Sequence, residues 1–361
     1  MVVKADEKYM KLALELARRG HGQTSPNPMV GAVMVKKDRV VGQGYHEKAG
    51  GPHAEIVALN KARGAARGAT LYVNLEPCCH YGRTHPCTDA IIKAGIREVV
   101  YSINDPNPTV NGKGAALLRR AGIKVTSGQL KDESEKLNEV YVKFIRTGKP
   151  FVILKTAESL DGRIATASGD SKWISGPEAL KYAHQLRADS DAVVVGAGTV
   201  LADNPHLTVR LVKGKNPYRI VLSRHPNFPT TINLFRHNRD ARTILATSRA
   251  GASKFKVKNV TVWTIEENKH GLLLSDFLEK AAQFGIISLL VEGGGRLATS
   301  LIHEGLVDKQ YLLIAPMIIG RGTEAVGELN IRKLADAVRY KEWLFEPCGQ
   351  DVLFTGYPRK K

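Results

Sequence analysis

The sequence lacks the features of secreted, disulfide-rich and membrane-spanning proteins. It has 4 cysteines in 361 residues, and three of them stand in one short segment, so they do not form a disulfide framework. No apolar run approaches the length of a membrane span, and the first residues lack the apolar core of a signal peptide. These absences predict a cytoplasmic protein in a reducing compartment.

Blocks of like charge are also missing, although the chain is strongly basic. It carries 53 Lys and Arg against 35 Asp and Glu, a formal net charge of +18. No run of about five or more like charges occurs, and no basic stripe alternates with aromatic residues, so nucleic acid is not predicted as a partner. The positive excess either attracts small phosphorylated ligands or simply keeps the surface soluble.

The strongest motif lies between residues 53 and 87. His53 and Glu55 form an H-x-E element, and the segment PCCHYGRTHPC places Cys78 and Cys87 downstream. One imidazole and two thiolates are zinc ligands, and a catalytic zinc site keeps its fourth position for water. Zinc lowers the pKa of that water to about 7, and Glu55 can move its proton to a leaving amine. The spacing predicts hydrolytic deamination, with His53, Cys78 and Cys87 on one Zn²⁺ ion and Glu55 as catalytic acid and base.

Two neighbouring residues leave the ligand set open at this point. Either Cys79 or His80 could supply a fourth ligand, which would make the site a structural zinc clip. Adjacent Cys78 and Cys79 do not easily point at one metal ion, so we interpret Cys79 as a packing thiol and His80 as a wall of the pocket. A purely structural site would not need Glu55.

Helical and strand patterns alternate along the chain, which is typical of α/β sheets with helices on their faces. The patterns predict helices at 8–18, 54–62, from 88, at 114–121 and at 133–146, and strands at 31–35, 40–45, 70–75, 98–103 and 124–127. The stretch Thr147-Gly148-Lys149-Pro150 then precedes an apolar strand at 151–155. This stretch predicts a boundary between two domains, 1–147 and 150–361.

The second half contains no cluster of histidine and cysteine, so its chemistry must differ. A strand at 287–291 runs into Gly293, Gly294 and Gly295, which open a helix at 297–303. A glycine-rich turn at a helix N-terminus is an anion cradle. Its match to G-x-G-x-x-A is weak evidence for a Rossmann fold because the turn lies near the C-terminus. We interpret it as a pyrophosphate site in a different fold, and a tight turn without a ligand is the alternative.

The whole chain resembles the bifunctional bacterial riboflavin biosynthesis deaminase/reductase family. The resemblance rests on SPNPMVGAV at 25–33, the H-x-E and PCCHYGRTHPC pair, NDPNP at 104–108, SLDGR at 159–163 and ADNP at 202–205. It implies an α/β protein with a cytidine-deaminase-like three-layer domain and then a dihydrofolate-reductase-like domain. The implied reactions are the zinc-dependent deamination of 2,5-diamino-6-(5-phosphoribosylamino)pyrimidin-4(3H)-one and the NADPH-dependent reduction of 5-amino-6-(5-phosphoribosylamino)uracil at its ribose, which gives the ribityl chain.

The resemblance also implies the residues of both sites. Deaminase substrate contacts fall on Asn27, His46, His80, Arg83, Thr84, Asp105 and Asn107. NADPH contacts fall on Ala157, Trp173, Thr199, Asp203, Gly293, Gly294 and Gly295. Reductase substrate contacts fall on Ser171, Arg187, Leu207, Arg210 and Glu292, and Lys155 supplies or orients a proton as the catalytic residue. The family associates through its reductase domain, so a homo-oligomer is expected.

Chemistry assigns roles within this set. Arg83, Arg187 and Arg210 can meet a phosphate through charge-assisted hydrogen bonds. Asn27 and His46 can hydrogen-bond the pyrimidine and its ribose, whereas Glu292 can hold ribose hydroxyls or the uracil. Structural alternatives stay open for some members: Asn27, Asp105 and Asp203 stand near prolines as turn residues do, and Trp173 could be core.

One departure from the family pattern concerns the cofactor. The family commonly has Asp followed by Ser or Thr after the strand that ends near Leu222, whereas this chain has Ser223 and Arg224. Arg224 either strengthens a contact to the 2′-phosphate of NADPH or signals altered cofactor handling.

Two other functions fit parts of the pattern. A deaminase of another nucleobase or nucleotide, free or in tRNA, could carry the second half as a binding or dimerisation module. The C-x8-C spacing argues against it because nucleic-acid editors use C-x-x-C, and so does the lack of a basic stripe. A nucleotide-binding regulator is the other alternative, and the intact Glu55 and zinc ligands argue against it.

Overall fold

The computed structural model describes residues 2–81 and 85–359. Within this part the chain divides into two compact units, one that ends at Gly148 and one that begins at Lys149. Each unit has its own β-sheet and its own buried hydrophobic core. No helix in the described ranges combines the length and the apolar character that crossing a membrane requires.

The first unit is a mixed sheet between layers of helices. In the described residues its strand order is β2-β1-β3-β4-β5, in which β1 pairs antiparallel with β2 and β3, and β3, β4 and β5 run parallel. The elements are α1 (Val2–Arg18), β1 (Gly31–Lys36), β2 (Arg39–Tyr45), α2 (Ala54–Ala62), β3 (Thr70–Leu75), α3 (Cys87–Lys93), β4 (Glu98–Ile103), α4 (Lys113–Arg120), β5 (Lys124–Ser127), α5 (Lys131–Leu137) and α6 (Glu139–Thr147).

Helices cover both faces of this sheet. On one face, α1 packs Met10 and Ala13 against Val33 of β1. Gly31 permits this close approach because a Cβ at that position would lie 2.0 Å from the carbonyl oxygen of Ala13. On the other face, α2, α3 and α4 pack around Leu71 of β3. Every residue of β3 is buried, as expected for a mostly apolar strand covered on both faces, and its Asn74 side chain is hydrogen-bonded to Gly31 and Met29.

The helix predicted at 133–146 is in fact two helices, α5 and α6, which meet at Asn138. Asn138 leaves helical geometry, with φ −107° and ψ 22°. Its buried side chain accepts a hydrogen bond from the Met29 N–H at 2.8 Å and donates one to the Met29 carbonyl at 3.0 Å. The single-helix prediction was wrong here because apolar periodicity carries no sign of a hydrogen bond to a distant loop.

The second unit is built on a larger sheet. Its described strands have the order β11-β10-β9-β8-β14-β6-β15-β18-β17, parallel from β11 to β15 and antiparallel over β15, β18 and β17. The elements are β6 (Phe151–Ser159), β7 (Arg163–Thr166), α7 (Pro177–Asp189), β8 (Ala192–Gly196), α8 (Ala197–Asp203), β9 (Tyr218–Leu222), α9 (Asn233–Arg236), β10 (Thr243–Thr247), α10 (Arg249–Lys254), β11 (Thr261–Thr264), β12 (Glu267–Asn268), β13 (Gly271–Leu272), α11 (Leu274–Gln283), β14 (Ser288–Glu292), α12 (Gly295–His303), β15 (Lys309–Ala315), β16 (Gly322–Glu324), β17 (Tyr340–Cys348) and β18 (Asp351–Pro358).

Consecutive residues of β14 show how this sheet is covered. Leu289 belongs to the core that α11 and α12 close, whereas Leu290 faces the opposite core with Leu186 of α7. Two helices start directly where neighbouring strands end, α8 after β8 and α12 at Gly295 after β14. Carboxyl ends of parallel strands and the helix N-termini beside them form the usual ligand crevice of an open α/β sheet.

Candidate active sites

The three predicted metal ligands meet in the first unit. His53 immediately precedes α2, Cys78 follows β3, and Cys87 is the first residue of α3. The Nδ1 atom of His53 lies 3.2 Å from Sγ of Cys87 and 3.5 Å from Sγ of Cys78, and all three ligand atoms lie within 4.8 Å of one another. Tetrahedral zinc with ordinary bond lengths separates nitrogen and sulfur ligands by about 3.6 Å, so the donor set fits Zn²⁺.

Local backbone contacts bring the two cysteines together. The Thr88 N–H donates to the carbonyl of Cys78 at 3.1 Å, and the Cys87 N–H donates to Sγ of Cys78 at 3.3 Å. The second helix begins at Cys87 itself rather than just after it. Cys79 instead donates to the Thr109 carbonyl at 3.7 Å, so it is directed away from the cluster formed by the described residues.

Glu55 occupies the second position of α2 beside this cluster. Its side chain is 3% exposed and lines a cavity of about 360 Å³ that also contains His53 and Cys78. Burial, and then the negative charge of Cys78, raise the pKa of Glu55 to about 7. A hydrogen bond from Cys87 lowers the pKa of Cys78 to about 4, which favours the thiolate form that binds zinc. A carboxyl poised near neutrality is suited to moving a proton in both directions.

One wall of the cavity is the loop that carries Asn27. The Asn27 amide nitrogen lies 3.0 Å from Nε2 of His46, whose Nδ1 lies 2.9 Å from the carbonyl of Pro52. Because a carbonyl only accepts, Nδ1 carries a proton, and Nε2 of the neutral ring accepts from Asn27. Both ring nitrogens of His46 therefore have partners within the protein, and Nε2 orients the Asn27 side chain.

Asp105 and Asn107 also line the cavity, as the sequence analysis expected. Asp105 is buried, and burial raises its pKa. Its Oδ1 accepts hydrogen bonds from the Asn107 N–H and the Tyr141 hydroxyl, both at 2.9 Å. Glu76 holds the same segment, since its carboxylate accepts from the N–H groups of Asp105 at 3.3 Å and of Ala115 at 3.0 Å.

Three further predicted contacts belong to the segment between β3 and α3. His80 is exposed and lines the cavity. Arg83 and Thr84 lie outside the described residues, so their contacts stay predictions.

The second unit gathers three predicted residues around a buried ion pair. Arg187 of α7 donates from Nε and Nη2 to the two oxygens of Glu292 at 2.6 and 2.8 Å. Glu292 is the direct neighbour of Lys155 across the parallel strands β14 and β6. Burial lowers the pKa of Lys155, and Glu292 partly counters this. The expected phosphate ligand Arg187 is thus paired with the expected substrate ligand Glu292, because buried charges need partners.

His184 joins this cluster, although the sequence analysis did not single it out. Its Nδ1 accepts from the Arg210 N–H at 2.9 Å, and its Nε2 lies 3.5 Å from Nη1 of Arg187. Burial, followed by the charges of Arg187 and Arg210, lowers the pKa of His184 to about 4. One signal was available: His184 precedes Arg187 by three helical positions and so shares its face of α7.

The remaining substrate candidates are placed differently from one another. Arg210 is exposed and donates to the Thr208 hydroxyl at 2.8 Å, so its side chain borders the cluster. Leu207 is buried in the core, with φ +53°, so its side chain is not open to a ligand. Ser171 is half-buried in the loop before α7, and its carbonyl accepts from the Ile174 N–H at 3.3 Å.

The predicted cofactor residues Thr199, Gly293 and Gly295 come together where β14 ends. Gly293 and Gly294 both have positive φ, 94° and 51°. A Cβ on Gly293 would lie 2.8 Å from Oγ1 of Thr199, and one on Gly295 would lie 2.1 Å from a backbone carbonyl oxygen. Only glycine allows this close-packed turn, which presents main-chain N–H groups at the start of α12. The arrangement fits an anionic pyrophosphate such as that of NADPH.

Three other cofactor candidates lie on neighbouring segments. Trp173 is 72% exposed, which leaves its indole available to stack on a planar ligand. Ala157 is half-buried on β6, on the same side of that strand as Lys155. Asp203 ends α8, where burial raises its pKa and Lys172 lowers it.

Arg224, which departs from the family pattern, follows β9. Its Nε donates to Glu267 at 2.6 Å, and its carbonyl accepts from the hydroxyl of Ser248 at 2.9 Å. Ser223 is buried. The Arg224 charge is therefore already paired with an acidic side chain in this structure.

Comparisons with known proteins match each unit to a protein family. Residues 3–103 match the cytidine and deoxycytidylate deaminase zinc-binding region, and residues 150–354 match the RibD C-terminal domain. The chain therefore combines a cytidine-deaminase-like zinc domain with a dihydrofolate-reductase-like reductase domain.

Relatives extend this likeness over the whole chain. The riboflavin biosynthesis protein RibD of Aquifex aeolicus is 45% identical over 356 residues, 98% of each chain, and that of Escherichia coli is 42% identical over 96% of this chain and 98% of its own. The chain belongs to the RibD family.

Solved structures of this family have the same architecture. RibD of Acinetobacter baumannii matches with a TM-score of 0.88 at 38% identity, covering 99% of both chains. A Thermotoga maritima protein described as a diaminohydroxyphosphoribosylaminopyrimidine deaminase/5-amino-6-(5-phosphoribosylamino)uracil reductase matches with a TM-score of 0.87 at 36% identity, over 99% of this chain and all of its own.

Proposed function

We propose that the chain catalyses two successive steps of riboflavin biosynthesis. Residues 1–147 deaminate 2,5-diamino-6-(5-phosphoribosylamino)pyrimidin-4(3H)-one by hydrolysis. Residues 150–361 then reduce the ribose of 5-amino-6-(5-phosphoribosylamino)uracil to a ribityl chain with NADPH. The observation that carries the proposal is the convergence of His53, Cys78 and Cys87 beside buried Glu55 in a cavity of the first unit, in a chain related to RibD over its full length.

In the deamination step, the protein positions the pyrimidine and moves protons. Zinc held by the three ligands supplies a Lewis acid that lowers the pKa of a water molecule. Glu55 takes a proton from the attacking water and delivers it to the nitrogen of the leaving amino group, so ammonia departs. Asn27 and Asp105, which both line the cavity, hold the pyrimidine, and the raised pKa of Glu55 suits it to both transfers.

In the reduction step, the second unit orients the ribose and supplies a proton. NADPH supplies the hydride that reaches C1′ of the opened ribosylamine. The glycine turn at 293–295 and Thr199 hold its pyrophosphate, with Ala157, Trp173 and Asp203 as further contacts. Lys155 donates the proton beside C1′. Glu292, kept ionised by Arg187, orients the substrate hydroxyls, and exposed Arg210 receives its phosphate.

We also propose a homo-oligomer that forms through the reductase unit. The edge strand β17 exposes Trp343, Leu344 and Phe345, each more than half accessible. Large apolar side chains grouped on an edge strand favour burial against a partner, and a second copy offers the same surface. A cytoplasmic location completes the proposal, and four cysteines without a disulfide suit a reducing compartment.

Single substitutions in each unit test the two activities. Glu55→Gln should keep one zinc ion per chain and abolish ammonia release, because the amide cannot carry the proton. The same variant should still oxidise NADPH when supplied with the aminouracil. Conversely, Lys155→Ala should stop NADPH oxidation and spare ammonia release, since its site belongs to the other unit. Ammonia, NADPH absorbance and zinc content are measured on the same preparations.

Three outcomes would contradict the proposal. Equal loss of both activities in either variant would contradict separate sites. Ammonia release from a different nucleobase, with none from the phosphoribosylated diaminopyrimidine, would favour another deaminase with a binding module. Ammonia release without any NADPH oxidation by the unmodified protein would leave the second unit without the reductase activity.

A further inference from the structure

The last helix of the first unit forms a wall of the deaminase cavity. Tyr141, Phe144 and Ile145 of α6 all line it. The matched cytidine and deoxycytidylate deaminase region ends at residue 103, so this wall lies outside the part shared with general pyrimidine deaminases. Asp105 also lies beyond that region. The part of the cavity lined by α6 and Asp105 is therefore a natural place for substrate selection.

Tyr141 controls how Asp105 faces the cavity. Its hydroxyl donates to Oδ1 of Asp105 at 2.9 Å, and the Asn107 N–H donates to the same oxygen at 2.9 Å. Two donors on one oxygen fix the rotation of the carboxylate. Within residues 2–81 and 85–359, no hydrogen bond to Oδ2 of Asp105 is found, and the residue lines the cavity. An ionised carboxylate is purely an acceptor, so Oδ2 is suited to an N–H donor on a ligand.

The junction of α5 and α6 also holds the loop that carries Asn27. Asn138, where α5 meets α6, binds both the N–H and the carbonyl of Met29. Asn74 adds a second hydrogen bond to the Met29 carbonyl at 2.9 Å. Met29 lies two residues after Asn27, so this clamp fixes the loop that carries Asn27. One turn of chain, from Asn138 to Tyr141, thus connects the Asn27 loop with Asp105.

We propose that Tyr141 is a positioning residue for deaminase specificity: its hydroxyl holds the Asp105 carboxylate ready to accept N–H groups of the aminopyrimidine. The inference rests on the proposed deaminase function and adds a substrate-recognition role for α6. It requires that Tyr141 act through Asp105 rather than on the reacting atoms. Loss of the hydroxyl should therefore weaken substrate binding more than it slows the chemical step.

The test compares Tyr141→Phe with Tyr72→Phe. Tyr72 is a matched control because its hydroxyl also donates to a carboxylate, Asp6, at 2.6 Å, on the α1 face of the sheet away from the cavity. Tyr141→Phe should raise KM for the phosphoribosylated diaminopyrimidine about tenfold with a smaller change in kcat, because one charge-assisted hydrogen bond is lost. Zinc content and NADPH oxidation should match the unmodified protein, and Tyr72→Phe should leave KM unchanged.

A double-mutant cycle identifies the route of the effect. In an Asp105→Ala background, Tyr141→Phe should change KM no further, since the group it positions is gone. Additive effects would overturn the proposal, as would an unchanged KM in Tyr141→Phe while the unmodified protein remains active. Tyr141→Phe could instead lose zinc or unfold at a lower urea concentration, with KM unchanged once the fraction of active sites is corrected for. That result would show a structural role only and would overturn the proposal. If the unmodified protein releases no ammonia from this substrate, the proposed function fails first and this inference with it.

Discussion

Buried charge defines the reductase cluster at the level of single residues. Lys155, Glu292 and Arg187 share a region where water is largely excluded, so the pKa values of Lys155 and Glu292 each depend on the other two charges. Burial lowers the pKa of Lys155, Arg187 lowers it further, and Glu292 raises it. The net direction is downward, which makes this lysine a better proton donor near neutral pH than an exposed one.

This balance predicts the titration of Lys155. Its pKa should lie below the ordinary value of 10.5, and Glu292→Gln should lower it further because the one attractive charge is removed. Since the protonated amine is the donor, reductase activity should decline as pH rises through this pKa. Side-chain NMR of lysine Nζ and Cε measures the pKa without substrate, with Lys155→Arg identifying the signal. A pKa that rises in Glu292→Gln would contradict the assignment.

Spacing alone predicted some site residues and not others. The ligands His53, Cys78 and Cys87 could be found because their residue types and intervals are those that zinc chemistry requires, and the structure gathers them. Residues that contact each other only in the folded chain have no fixed spacing in the sequence. His184 and Tyr141 bind residues far away in sequence or main-chain groups, and a histidine or tyrosine on a helix resembles many others.

Among the elements, α5 and α6 show how one side chain divides a helix. Asn138 is nearly inaccessible, and its two hydrogen bonds satisfy both main-chain groups of Met29. The strands β3 and β4 have the bounds that their apolar runs predict, because a strand buried in a sheet interior can be predicted from its local composition. The break at Asn138 cannot be predicted in this way, since it depends on a loop more than a hundred positions away.

Loss of this clamp should destabilise the first unit. Asn138→Ala removes the hydrogen-bond partner of the Met29 N–H and one of the partners of the Met29 carbonyl. This loss costs about 2–4 kcal/mol of unfolding free energy. It should also raise KM for deamination by loosening the Asn27 loop. Urea unfolding, monitored through the loss of ammonia release, measures the change in stability. Asn238→Ala is the control, because Asn238 makes a comparable buried clamp to Arg219 and Thr243 and should destabilise only the second unit.

On the scale of the whole molecule, the large apolar side chains of β17 remain exposed when the chain is considered alone. Trp343 and Phe345 pack edge to face with each other while remaining more than half exposed. Such a surface carries a solubility cost unless it is covered.

Changing that strand should separate the subunits. Trp343→Ser together with Phe345→Ser should weaken association at least about tenfold, because each aromatic anchor at an interface contributes on the order of 2 kcal/mol. Sedimentation velocity over a concentration series gives the dissociation constant. Leu117→Ser, an exposed apolar residue of the first unit, should leave association unchanged. A monomeric unmodified protein, or unaltered assembly in the double variant, would contradict the proposed interface.

The position of β6 in its sheet has a consequence for how the protein is made. It is the first strand of its unit to leave the ribosome, yet its sheet neighbours β14 and β15 come near the end of the chain. The first unit contains all the described strands of its own sheet and can fold while synthesis continues. A newly made Phe151–Ser159 segment must instead wait unpaired, so for most of the synthesis of the second half its apolar edge is a target for chaperones.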